Sequence, residues 1–200
     1  LKKIPYVIRV SEYADLWWGA NKEKFDFAEC VRSRRMDNEI QYFALKRAER
    51  IIAPSYLLQR LIYNKTGKKP QVIESPVVIE KKDFPLNEKE LSREKYWVTY
   101  GALNYRKSIQ SLAQIIDKLL DEYPDMKYVM IGKDKEVKHN GKFMMASEYL
   151  EMHISRNRDR YIFLDEVSDR NRLFSIIKNS YACILPTRVD NLPNSCLEAM

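Results

Sequence analysis

Tyr96-Trp97-Val98-Thr99-Tyr100-Gly101, Lys127-Tyr128-Val129-Met130-Ile131-Gly132, Tyr161-Ile162-Phe163-Leu164 and Tyr181-Ala182-Cys183-Ile184-Leu185 are four short apolar runs, and the first two stop at a glycine. Rich in aromatic and β-branched residues, each reads as a buried strand. Between the first two, residues 106–122 carry Ile109, Leu112, Ile116 and Leu119 at three- and four-residue steps, a helix face closed by Tyr123-Pro124. A weaker helical pattern covers about 144–157, Arg170 to Asn179 forms another, and Asn194 opens a last one, which it can cap. Strand and helix therefore alternate over residues 96–200 with short connections. That order predicts an α/β fold with a doubly wound parallel sheet.

Upstream the same grammar is shorter. Tyr6 to Val10 reads as a strand, residues 11–35 as irregular, and about Met36 to Arg50 as a helix with Ile40, Phe43, Ala44 and Ala48 on one face. Arg50-Ile51-Ile52-Ala53 is a brief strand, and Ser55 suits an N-cap for a helix with Leu57, Leu58, Leu61 and Ile62 as its stripe. Lys65 to Pro70 ends that helix, and Gln71 to Glu74 is a strand. The charged stretch 77–95, with Pro85, reads as a linker. The expected organisation is thus residues 1–76, a linker at 77–95, and residues 96–200.

Composition narrows the chemistry. The 200 residues hold 35 Lys and Arg against 28 Asp and Glu, a formal charge of +7 that suits an anionic partner. Only five glycines occur, so neither a G-x-G-x-x-G nor a Walker loop can be assembled from them. Cys30, Cys183 and Cys196 are odd in number and form no C-x-x-C, which argues against a disulfide framework and for a reducing, cytosolic compartment. His139 and His153 lack metal-ligand spacing, so no metal is expected. No apolar run approaches the ~18 residues of a membrane span.

In open parallel sheets ligands collect where strands end at their carboxyl side. After the first strand of the second unit come Arg106 and Lys107, read as two cations at a helix start, where an anion between them would offset the unfavourable dipole. After the last strand comes Pro186-Thr187-Arg188-Val189-Asp190-Asn191-Leu192-Pro193-Asn194-Ser195-Cys196-Leu197-Glu198-Ala199-Met200. Free N–H groups at the start of its helix offer an anion cradle. Asp190 in the loop and Glu198 a helical turn in would both border that cleft. Carboxylates beside a phosphate site suit hydroxyls, which they accept in a charge-assisted way.

This last run resembles the donor-site signature of family 4 retaining glycosyltransferases of the GT-B fold. In that signature two acids are separated by seven residues, as Asp190 and Glu198 are, and the second stands in an L-E-A-M-like helix start. Gly101-Ala102-Leu103 with Arg106-Lys107 is similar to the family's G-R-L-x-x-x-K-G segment. Pro124-Asp125 before Lys127 to Gly132, and Phe163-Leu164-Asp165, resemble two further elements. Ala48 to Ser55 resembles an A-D-x-I-I-A-x-S segment, and Glu74-Ser75-Pro76 the turn that follows it. The ordered set covers roughly residues 36–200. Two positions depart from it: Ala102 stands where the family has arginine, and Ser108 where it has glycine.

The resemblance implies two Rossmann-like units, both incomplete, in an internal fragment of a larger enzyme: the end of an acceptor-side domain at 1–76 and the first part of a nucleotide-sugar-binding domain at 96–200. It implies transfer of a sugar, with retention and no required metal or cofactor, from a UDP- or GDP-type donor to a saccharide or lipid-linked acceptor. Surface polysaccharide or lipopolysaccharide synthesis is the expected setting, in the cytoplasm or at the inner face of the membrane, where the basic charge suits a peripheral contact. Asp190 and Lys107 are expected to be catalytic. Arg106, Lys107, Gly101, Asn191, Asn194, Ser195, Glu198 and Arg188 are expected to bind the donor, Glu198 through the ribose and Arg106 or Arg188 as a second cation. Two rivals stand beside this reading. A nucleic-acid-binding module is suggested by the charge of +7 and 13 tyrosines, although the cations are interleaved with acids and no nucleic-acid motif appears. An inactive, partner-binding fragment of the same fold is the other.

Overall fold

The computed structural model describes residues 5–10, 27–74, 76, 91, 94–188, 190 and 193–200, with side chains omitted for 27–34. The chain divides into two compact units, Leu1–Val77 with Val189–Pro193 and Val78–Arg188 with Asn194–Met200. Most of the expected linker, 77–95, lies outside the described residues.

In the first unit, strands β1 (Val7–Arg9), β2 (Arg50–Ala53) and β3 (Gln71–Val72) pair in parallel in that order. Helix α1 (Phe27–Arg47) precedes β2, and α2 (Tyr56–Thr66) follows it. Ser55 caps α2 by accepting from the Leu58 N–H at 3.3 Å, and Gly67 ends it at φ 73°, a left-handed conformation that glycine adopts without steric cost. Two expectations change here. Helix α1 starts at Phe27, inside the stretch read as irregular. Ile40 and Phe43 point outward, because the buried line of this segment runs through Leu45 and Ala48 instead. Those two join Val10, Ile51, Ala53, Leu58 and Ile62 in a small core.

The second unit is built on β4 (Lys95–Tyr100), β5 (Met126–Ile131), β8 (Tyr161–Leu164) and β9 (Ala182–Cys183), all parallel in the order β8-β5-β4-β9. Its central register pairs Lys95 with Met126 through Tyr100 with Ile131. Trp97, Tyr128 and Met130 face α3 (Ile109–Glu122) and α4 (Ala146–His153), packing with Leu112, Ile116, Leu120 and Leu150. Tyr96, Val98, Tyr100, Val129 and Ile131 face the other way, against Ile176 and Ile177 of α5 (Arg170–Lys178). Burial on both faces is why these strands read as unbroken apolar runs rather than as alternating ones. A last helix, α6, spans Asn194–Ala199. The fold is the expected α/β one, two parallel-sheet units of the GT-B kind.

Between β5 and α4 lies a hairpin that the sequence reading did not contain. Strands β6 (Glu136–His139) and β7 (Lys142–Met145) pair antiparallel around Asn140-Gly141. Asn140 at φ 49° and Gly141 at φ 78° adopt the two left-handed positions of the tight hairpin turn for which Asn-Gly is the strongest sequence signal.

Candidate functional site

The carboxyl ends of β4 and β5 are drawn together by backbone. Gly101 N–H donates to the Ile131 carbonyl at 3.0 Å, Gly132 N–H to that of Leu164 at 3.1 Å, and Leu103 N–H to that of Lys133 at 3.0 Å. A Cβ on Gly132 would meet the Gly101 carbonyl oxygen at 1.9 Å, and φ is 152° there, so only glycine permits the approach. Gly101 itself stands at φ 117°, which favours glycine, and a Cβ there would only reach ordinary contact with the Lys107 stem, at 4.0 Å.

Arg106 and Lys107 do not start α3. They form a separate 3-10 turn, Tyr105–Lys107, whose cap Asn104 accepts from the Lys107 N–H at 3.1 Å. Ser108 follows at φ 56°, and α3 begins one residue later. The two cations thus stand in a separate turn just ahead of the α3 N-terminus rather than inside its first turn. This turn meets the segment after β9. Lys107 Nζ donates to Thr187 Oγ1 at 3.2 Å, and Arg188 N–H donates to the Arg106 carbonyl at 2.9 Å. The Arg188 guanidinium lies 4.2 Å from the centre of the buried Tyr105 ring and donates to the Tyr105 hydroxyl at 3.0 Å. Three cations therefore belong to two short segments stitched side by side.

The carboxylate side is built on α6. The Tyr100 hydroxyl, at the end of β4, donates to the Ser195 carbonyl and ties this helix to the sheet. Burial pushes the Tyr100 phenol well above the ordinary tyrosine range, and the neighbouring Glu198 charge adds to the shift. Glu198 Oε1 lies 3.6 Å from Nη2 of Arg170, the first residue of α5. Asn194 is the first residue of α6 rather than its cap. Asp190 is half-buried and groups with the first unit, while Asn191 lies outside the described residues.

The structure thus gathers Gly101, Arg106, Lys107 and Arg188, and separately Ser195 with Glu198, in the second unit. Thr187, Tyr100 and Arg170 were not among the expected site residues. Thr187 stands in the quoted donor-like run and Tyr100 closes the first strand, so both were within reach; nothing in the sequence marks Arg170. Among the described residues, no group of three or more His, Cys, Asp or Glu is placed to hold a metal ion. The hairpin does bring His139 and His153 together, with ring centres 5.7 Å apart, although they are distant in sequence. Cys183 and Cys196 are free thiols, and burial pushes that of Cys183 upward. Among the described residues no helix is long and apolar enough to cross a membrane.

The sequence model of glycosyl transferases group 1 matches residues 94–200, more than half of the chain. The chain belongs to this family. Solved structures agree on the fold of this group 1 glycosyltransferase chain. Anabaena HepE, in complex with UDP and glucose, is 16% identical over 98% of this chain and 50% of its own, with a TM-score of 0.63. The α,α-trehalose 6-phosphate synthase of Burkholderia multivorans is 12% identical over 88% of this chain and 46% of its own, with a TM-score of 0.61. The pneumococcal O-GlcNAc transferase GtfA, in complex with UDP and GlcNAc, is 14% identical over 80% and 30%, with a TM-score of 0.54. This chain therefore spans half or less of the length of these structures. No curated protein matches the sequence.

Proposed function

We propose that this chain carries the donor-binding part of a retaining, family 4 type glycosyltransferase that moves a sugar from a nucleoside-diphosphate sugar to an acceptor hydroxyl. The observation that carries the reading is the 3.2 Å contact of Lys107 with Thr187. It places a cation at the carboxyl ends of β4 and β9, where open parallel sheets take their ligands. Lys107, with Arg106 and Arg188 beside it, meets the diphosphate. Backbone N–H groups of Asn194 and Ser195 add donors, and Gly101 leaves room for the chain to approach. Glu198 accepts from the ribose hydroxyls, while Asp190 and Asn191 attend to the transferred sugar.

In the reaction the bond from the anomeric carbon to the diphosphate breaks as the acceptor oxygen bonds to that carbon on the same face, and the acceptor's proton passes to the departing diphosphate oxygen. Negative charge grows on the departing diphosphate. Fixed cations and oriented N–H groups stabilise such charge without reorganising, and they supply here what a divalent ion supplies elsewhere. The donor is of the UDP or GDP type. The acceptor is a saccharide or lipid-linked hydroxyl in surface polysaccharide or lipopolysaccharide synthesis, on the cytoplasmic side, where a charge of +7 favours an acidic membrane face.

Thermal unfolding of the whole protein with UDP, GDP or ADP, in EDTA, tests this reading. One nucleotide is expected to raise the transition, and Lys107→Ala and Glu198→Ala are each expected to abolish the rise. A transition that ignores every nucleotide overturns the donor site, and a rise that appears only without EDTA overturns metal independence.

A further inference from the structure

Arg170 is in a costly place for a helix. It is the first residue of α5, where the positive end of the dipole disfavours a cation by about 0.3–1 kcal/mol, although Asp169 beside it accepts from the Asn171 N–H at 2.9 Å. Its guanidinium leaves the helix axis and lies 5.3 Å from the centre of the Phe174 ring, one turn further along the same helix. From there it reaches Glu198 on α6 at 3.6 Å, an ion pair without a hydrogen bond. The Arg170 side chain is 67% exposed and that of Glu198 23%, so the pair stands at the rim of the site rather than in the core. An exposed single-contact pair contributes little stability. Its geometry does something else. A cation beside one oxygen biases the rotation of the carboxylate and, with no hydrogen bond between them, leaves both oxygens able to accept hydrogen bonds.

We infer that Arg170 is a positioning residue for ribose recognition: it holds the Glu198 carboxylate in the orientation that accepts the vicinal 2′ and 3′ hydroxyls of the donor nucleotide. This rests on the reading of Glu198 as the ribose ligand. The ends of β8 and β9 are joined by no strand pairing, since β5 and β4 stand between them, yet α5 follows β8 and α6 follows β9. The Arg170–Glu198 pair is therefore a direct side-chain link between the two outer strands' following helices, across the carboxyl end of the sheet.

The test compares binding of UDP and GDP with their 2′-deoxy counterparts by titration calorimetry, using the whole protein, Arg170→Ala, Arg170→Lys and Glu198→Gln. The unsubstituted protein is expected to prefer the ribo form by about tenfold, the size of one hydrogen bond to a charged group. Arg170→Ala is expected to lose most of that preference with little change in affinity for the deoxy form, and Arg170→Lys to restore much of it. If Arg170→Ala weakens both forms equally, or leaves the preference intact while Glu198→Gln removes it, the positioning role is overturned and the ribose reading of Glu198 survives. If Glu198→Gln also leaves the preference intact, the ribose reading falls and the inference falls with it.

Discussion

The two sides of the candidate site are held in different ways. On the cation side, Lys107 sits in a 3-10 turn stitched to the 186–188 segment by a side-chain contact of 3.2 Å and a backbone bond of 2.9 Å, beside the approach of Gly132 to the Gly101 carbonyl that admits no Cβ. On the carboxylate side, Glu198 belongs to a six-residue helix anchored by the Tyr100 hydroxyl and by one ion pair at 3.6 Å. The first arrangement is set by main chain and resists substitution of its glycine. The second is set by side chains that can be removed singly. A diphosphate needs cations that do not move as its charge grows, whereas hydroxyls need an acceptor whose angle can be tuned.

The largest expected effect comes from breaking the rigid side at its root. In Gly132→Ala the new methyl would stand 1.9 Å from a backbone oxygen, so the β4 and β5 ends must separate. A loss above about 3 kcal/mol is expected, which for a chain of this size lowers Tm by more than roughly 6 °C. The nucleotide-induced rise in Tm should vanish with it. Calorimetry on the variant checks both, and an unchanged Tm with full nucleotide response would show that the approach is not rigid.

Lys107→Ala comes next and separates binding from stability. The part-buried side-chain contact to Thr187 is lost without opening the core, so Tm should stay within about 1–2 °C. Affinity for a nucleoside diphosphate should fall about tenfold or more, as expected for loss of a charge-assisted bond, while affinity for the bare nucleoside holds. Equal losses for the two would move Lys107 away from the diphosphate. Arg188→Ala should cost less, because its guanidinium is already committed to the Tyr105 ring and hydroxyl.

The same contrast explains what the sequence disclosed. β4, β5 and the α3 face were legible because burial on both sides of a parallel sheet imposes unbroken apolar runs and a three-to-four helix rhythm. Spacing alone singled out Asp190 and Glu198; the structure describes Glu198 in α6 of the second unit and groups Asp190 with the first. The first unit was harder: with strands of two to four residues, its burial is shared with small side chains such as Ala48 and Ala53, and the conspicuous Ile40 and Phe43 point to solvent. The hairpin at 136–145 was within reach through Asn140-Gly141 but lacks a long apolar run on either strand. Arg170 had no signal at all, because its meaning lies in a partner 28 positions along the chain that only the fold brings near.

The smallest effect sharpens the carboxylate side. Tyr100→Phe removes the donor to the Ser195 carbonyl and leaves the ring in the core, a net loss of about 1 kcal/mol, or roughly 2–4 °C in Tm. It also carries a pH signature. The Tyr100 phenol is held above the ordinary value of about 10 chiefly by burial and then by the Glu198 charge, so the folded protein keeps its proton where the unfolded chain loses it. Its contribution is therefore complete below about pH 10 and is lost as the solution is made more alkaline. Burial raises Tyr128 and Tyr161 in the same direction. Stability followed from pH 9 to 11 should fall in the unsubstituted protein and fall less steeply in Tyr100→Phe. If the two slopes are the same, the phenol does not keep its proton in the fold, and its bond to the Ser195 carbonyl is not what ties α6 to the sheet. Ribose recognition should then tolerate Tyr100→Phe while still failing in Glu198→Gln.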